Sequence, residues 1–265
     1  MVANERIYLQ FDKSKSSEMQ LMINKNGYEI EISDFSSPLM YDDGKDMNSI
    51  IEWFLNQNIN YKNSSFHAPF IGLQIKCRDS GISTLSRNRI ETSIEIANKL
   101  GCSKFIAHTG INPLASTNVF SEIVDFHVNY WENLAEKYPD IVICLENVWE
   151  NDDKFFISFF EKIKSKNIKM CFDLAHAIVY SDTPYITWLN DLSEYIVHVH
   201  LCNNNLKEDN HYALDKGDIN ISNSIHKIEE ILSSPTYLLE VFSVENTKTS
   251  IEYLYRNGIV SKEII

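Results

Sequence analysis

The sequence predicts a closed (β/α)8 TIM barrel, an α/β fold, formed as a single domain over residues 1–265. Three observations carry that reading. Short β-branched runs alternate with longer helical patterns about eight times, which implies a parallel sheet covered by helices. No linker or low-complexity segment interrupts the alternation. Histidines and carboxylates recur where the later strands end, the face on which such barrels carry their chemistry. A doubly wound open sheet is the alternative, but neither GxGxxG nor GxxxxGK[ST] occurs to support a nucleotide site.

In chain order, the first strand is expected at residues 7–11 and a helix at 17–25, stopped by Gly27. A strand at 29–32 is followed by a loop holding Pro38 and Gly44 and a helix at 47–56. The third strand is Ser65-Phe66-His67. A long loop then leads to a helix over 86–100, ended by Gly101. The remaining strands are expected at 104–108, 141–146, 168–173, 196–201 and 237–241. Helices are expected at 121–138, 154–166, 185–192, 221–232 and 247–257.

The polar residues at the strand ends are His67, His108, Glu146, Asp173 with His176 just beyond it, His200 and Glu240. The loop after the seventh strand adds Asp209 and His211. A carboxylate or imidazole on an apolar strand costs several kcal/mol unless it is paired or metal-bound. Convergence at one end therefore points to a ring of metal ligands, and mixed His and carboxylate donors suit zinc, manganese or iron better than calcium. By strand alternation, Cys144, Cys171 and Cys202 share the inward face with these residues. His198 lies on the same face as His200 and reads as a deeper, hydrogen-bonded histidine. His127 and His226 fall on helical patterns, as surface or helix-packing residues. Asp42, Asp43 and Glu229 read as solvated.

The formal net charge is −13. That balance disfavours a broad nucleic-acid surface, which needs a basic patch. No apolar run reaches membrane-span length, the start lacks the pattern of a signal peptide, and five scattered cysteines without CxxC fit a reduced, cytoplasmic protein.

The motifs FHAP, AHTG, LEN, CFDLAH, HVHLCN, DNH with a following Gly-Asp-Ile, and LLEV, in that order, resemble the xylose isomerase-like TIM-barrel superfamily. This group also contains the AP endonuclease family 2 (endonuclease IV) proteins and many sugar-phosphate isomerases and epimerases. The resemblance runs from the third strand onward. It implies a divalent-metal centre of zinc or manganese, with one ion where members keep mainly the residues matching Glu146, Asp173, His200 and Glu240, and two or three where the full set is used. His67 and His108 would serve one ion, with Glu146 bridging. Asp173 and His200 would serve the second, with Glu240 near both. His176, Asp209 and His211 would serve the third. In isomerase-type members, glutamates matching Glu146 and Glu240 also form the acid/base pair.

The sequence departs from the endonuclease pattern in two places. The segment after His200 is nearly free of basic residues, and the expected Gly-x-Gly reads Asp215-Lys216-Gly217. Both disfavour DNA. The favoured reading is therefore a metal-dependent isomerase or epimerase of a small sugar or sugar phosphate, monomeric or homodimeric. The alternatives are a multinuclear-zinc phosphodiester hydrolase acting on abasic DNA or a small phosphoester, and a non-catalytic metal-binding protein. Trp149 is the candidate sugar-stacking residue. Arg78 and Lys216, with Arg87 and Arg89, are the candidate phosphate contacts.

Overall fold

The computed structural model describes residues 1–42, 46–111 and 119–260. Asp43 and Gly44 lie outside these. Eight parallel strands close on themselves in chain order, β1 to β8, with β8 pairing β1. They are β1 (Ile7–Phe11), β2 (Glu29–Ile32), β3 (Ser65–His67), β4 (Lys104–His108), β5 (Val142–Glu146), β6 (Ile168–Asp173), β7 (Ile196–Leu201) and β8 (Thr236–Leu239). The fold is the expected (β/α)8 TIM barrel. The helices are α1 (Ser16–Asn26), α2 (Met47–Leu55), α3 (Ser80–Leu100), α4 (Phe120–Lys137), α5 (Lys154–Phe160), α6 (Leu174–Tyr180), α7 (Tyr185–Asp191), α8 (Ile221–Ile231) and α9 (Val244–Arg256). None of the described helices is long and apolar enough to cross a membrane.

Several elements differ from those read off the sequence, and four of the differences bear on the site or its packing. Helix α3 starts at Ser80, six residues early, because the Asp79 carboxylate accepts from the Gly81 and Ile82 amides and caps it. Gly81 therefore sits in the first turn, where a glycine does little harm. Helix α5 stops at Phe160 after burying four phenylalanines. The following Lys-rich stretch has little apolar surface to keep a helix against the barrel. Strand β8 stops at Leu239, so Glu240 stands just beyond it. Helix α6 replaces an expected loop. Its cap is Asp173, whose Oδ1 accepts from the His176 amide at 2.6 Å.

Two apolar layers hold the barrel. Outside the sheet, α4 buries Val124, His127, Trp131 and Leu134, and Phe156, Phe159, Phe172 and Trp188 continue that layer. His127 is thus a packing residue, its ring 5.2 Å from that of Phe155, and burial pushes its pKa down to about 3. Inside the barrel a separate small cluster holds Ile106, Cys144 and Cys171. The inward placement of these cysteines follows the expected alternation. Helix α3 ends at Gly101, whose φ of +82° few other residues adopt cheaply. Glu229 is not merely solvated: Arg6 donates to both of its oxygens, at 3.0 and 2.5 Å, beside the Tyr237 hydroxyl.

Candidate metal centre and cavity

The strand register brings the chemistry to one end. β4 and β5 align so that His108 stands beside Glu146, and β6 and β7 so that Asp173 stands beside His200. All nine residues singled out from the sequence converge there. Glu146 lies at the centre, fully buried. Its Oε2 is 3.3 Å from His67 Nε2 and 3.2 Å from His108 Nε2. Its Oε1 is 3.4 Å from His176 Nδ1 and 3.5 Å from His200 Nδ1. Glu240 Oε2 is 3.2 Å from the same His200 Nδ1. On the outer side, Asp209 Oδ2 lies 3.1 Å from His176 Nε2 and 2.9 Å from His211 Nε2.

Local structure fixes these side chains. Asn147, next to Glu146, clamps the ends of two strands. Its amide donates to the Asp173 carbonyl at 2.9 Å, and its Oδ1 accepts from the Asp173 amide at 2.8 Å. The loop carrying Asp209 and His211 is pinned by an antiparallel bridge between Asn203 and Tyr212. Asn203 also accepts from Ile219 N and donates to the Leu214 carbonyl. Gly217 packs against it so closely that a Cβ there would lie 2.3 Å from Asn203 Oδ1. The glycine retained in Asp215-Lys216-Gly217 is thus needed for close approach. His211 itself has a φ of +50°, a sparsely populated conformation for a non-glycine.

Three histidines are oriented in one manner. His67 Nδ1 donates to the Ala68 carbonyl at 2.8 Å, His176 Nδ1 to the Asn147 carbonyl at 2.9 Å, and His211 Nδ1 to the Glu240 carbonyl at 3.1 Å. Each thereby turns its Nε2 toward a carboxylate-lined space, the orientation that metal-ligating histidines take.

The polar atoms at the centre are under-satisfied. Both Glu146 oxygens, Asp173 Oδ2, His200 Nδ1 and Glu240 Oε2 are buried without a hydrogen-bond partner among the described residues. Orphaned buried polar atoms are costly and rare. The spacings of 2.9–3.5 Å match ligands that share an ion, since donors about 2.0–2.1 Å from a tetrahedral zinc are about 3.3 Å apart. The donor set therefore fits divalent metal, and three of its subsets bring three donor atoms together: His67–His108–Glu146, His67–His200–Glu240 and His176–Asp209–His211.

Electrostatics reflects the crowding. Burial pushes Asp173 up to about 7, aided by Glu240, Glu146 and Asp209 and opposed by His176. Burial would also raise Glu146, but His108 and His200 hold it well below the usual carboxylate range. Burial works against the charge on His211, yet its bond to Asp209 raises it to about 9.

Above the ring opens a cavity of about 160 Å³ lined by His67, Phe70, His108, Val148, Trp149, His176, Tyr180, Asp209, His211 and Glu240. Glu240 borders it, whereas Glu146 lies beneath. Trp149, 46% exposed, stands on its rim as the stacking reading expects. The candidate phosphate contacts do not meet it. Arg78 and Lys216 are not among its lining residues. Arg87 donates to the Ile75 carbonyl and Arg89 pairs with Asp42. Phe70 and Tyr180, which the sequence reading passed over, complete the aromatic rim, and only their place just beyond His67 and His176 hinted at it.

A buried glutamate was also missed. Glu31 of β2, 1% exposed, accepts from Ser65 Oγ at 2.7 Å and faces His198 and His200. In Glu29-Ile-Glu-Ile32, alternation sets Glu31 on the face opposite Ile30 and Ile32, and closure of the barrel turns that face inward.

The fold and this ring define a (β/α)8 barrel with a histidine–carboxylate centre at the C-terminal ends of its strands. The chain belongs to the xylose isomerase-like TIM-barrel family, whose model matches residues 58–257. An uncharacterised protein of Methanocaldococcus jannaschii is 28% identical over 208 residues, 75% of this chain and 67% of its own. Among solved structures, a Thermus thermophilus protein from crystals soaked with zinc chloride has a TM-score of 0.76 at 21% identity, over 95% of this chain and 97% of its own. A D-tagatose 3-epimerase-like protein has a TM-score of 0.74 at 23% identity, over 95% and 96%. The IOLI protein, solved with a bound zinc atom, has a TM-score of 0.68 at 17% identity, over 96% of each chain.

Proposed function

We propose that the protein is a divalent-metal-dependent isomerase or epimerase acting on a small sugar or sugar phosphate. The observation that carries this is the position of Glu240, which borders a small aromatic-rimmed cavity directly above the orphaned buried donors. The similar proteins include sugar epimerases, in accord with that reading. His67, His108, Glu146, Asp173, His176, His200, Asp209, His211 and Glu240 would hold the metal, zinc or manganese. Four carboxylates among them balance two dications. A bound dication supplies Lewis-acid stabilisation of negative charge developing on adjacent substrate oxygens.

The chain does the rest. Trp149 and Phe70 offer apolar faces to one side of a sugar ring. Glu240 stands at the cavity edge, where its carboxylate can take a proton from a substrate carbon. Glu146, held ionised among four histidines, is placed to anchor the centre, and the Glu240 carboxyl that has taken the proton is the group placed to return it. Cavity size suits a monosaccharide rather than a polymer.

A second reading, a phosphoester hydrolase, is favoured by the convergence of all nine residues of the multinuclear set. Neither the net charge of −13 nor the cavity lining, in which no Lys or Arg occurs among the described residues, favours DNA. The test is a panel of small ketoses and ketose phosphates in D2O with zinc or manganese, beside abasic DNA and small phosphoesters. Deuterium entering a carbon of one sugar is the expected result. Phosphoester cleavage with no sugar turnover would replace this reading by the second.

A further inference from the structure

We infer that Glu31 is a positioning residue for His200: it takes the hydrogen on Nε2 of that ring and thereby turns Nδ1 toward Glu146 and Glu240. The inference rests on the proposal above that His200 is a metal ligand, and explains how that ligand is oriented.

The argument starts from an asymmetry. His67, His176 and His211 each donate Nδ1–H to a backbone carbonyl and present Nε2. His200 is turned the other way, with Nδ1 at 3.2 Å from Glu240 and 3.5 Å from Glu146. Its Nε2 therefore needs its own acceptor, deep in the barrel. Glu31 Oε1 lies there at 3.5 Å, and it is the carboxylate facing that nitrogen among the described residues. Neither His200 Nε2 nor His198 Nε2 makes a hydrogen bond among those residues, which leaves Glu31 as the acceptor within reach of His200.

The surroundings hold Glu31 for that task. Ser65 donates to Oε2 at 2.7 Å, and His198 Nε2 lies 3.4 Å from the same oxygen. The Thr236 hydroxyl donates to the Val197 carbonyl at 3.3 Å and so accepts from His198 Nδ1 at 2.6 Å, which fixes that ring beside Glu31. Ser65 thus holds one oxygen of this fully buried carboxylate, and the other faces His200 Nε2. The apolar cluster of Ile106, Cys144 and Cys171 lies in this inner layer, where an apolar side chain would pack without the cost of burying a charge. A carboxylate behind a ligating histidine fixes its tautomer and raises its basicity, and its loss typically weakens metal binding about 10–100-fold.

The test has two arms. Ring-nitrogen NMR of the metal-free wild-type protein is expected to show hydrogen on His200 Nε2. A ring protonated only at Nδ1 would overturn the inference, whether or not any variant folds. Cobalt(II) titration followed by its visible absorption is then compared for wild type and Glu31→Gln. The expected result is affinity about 10–100-fold weaker with the same number of ions at saturation. Unchanged affinity, or the loss of one ion at saturation, which would make Glu31 itself a ligand, overturns it. Failure of the wild type to bind cobalt would count against the metal centre, while the NMR arm still decides the role of Glu31.

Discussion

Glu146→Gln is expected to reduce turnover of the sugar identified in the panel by about 10⁴-fold or more, with the fold intact by circular dichroism. Glu146 is the one carboxylate that faces four histidines, at 3.2–3.5 Å, among the described residues. An amide would offer one neutral oxygen and turn an NH2 toward a histidine nitrogen that needs to stay bare. The substitution therefore removes the carboxylate shared by the inner positions and one of the four negative charges that would balance the ions. Its volume is unchanged, so packing against Cys144 and Cys171 should survive. Steady-state kinetics at saturating metal is the measurement. A fall of less than about tenfold would show that the reaction does not depend on this centre.

Removing metal is expected to lower the melting temperature by roughly 10 °C. Binding to the folded chain alone contributes about 4 kcal/mol per site at a thousandfold excess over Kd. For a chain of this size each kcal/mol moves the midpoint by about 2–4 °C. The structure supplies the reason: without metal, four carboxylates crowd together, and burial drives Asp173 up to about 7. A carboxyl with a raised folded-state pKa binds more protons folded than unfolded, so its contribution to stability falls as pH rises from about 4 to about 7. Metal relieves that penalty. The metal-dependent gain should therefore be larger at about pH 7.5 than at about pH 5.5, where protons also compete for the histidines. Differential scanning calorimetry with and without chelator measures both. Equal midpoints at about pH 7.5 would contradict the proposed centre.

Most of the fold was legible because alternation of period two and period 3.6 is a local signal, and every strand was found within a few residues. The ends were less so. Nothing in Ser80-Gly81 looks helical until Asp79 is seen accepting both amides. Helix α6 was hidden because its sequence, Leu174–Tyr180, follows a strand without a break, and Asp173 serves as strand end, helix cap and site residue at once. The nine-membered ring could be read because each member ends or follows a strand, and closure of the barrel brings such positions together. Glu31 could not be read that way. It sits within β2, and only the inward view of the closed barrel shows that it stands behind His200. Arg78 and Lys216 do not line the cavity, because position on a loop near the strand ends does not say which way the loop folds.

Elemental analysis of zinc-equilibrated, extensively dialysed protein tests the central claim most directly, with a variant carrying His176→Ala, Asp209→Ala and His211→Ala alongside. The account predicts at least two zinc ions retained per wild-type chain, and a loss confined to the outer position in the variant. Protein that retains no zinc, or retains the same amount in both forms, would contradict it.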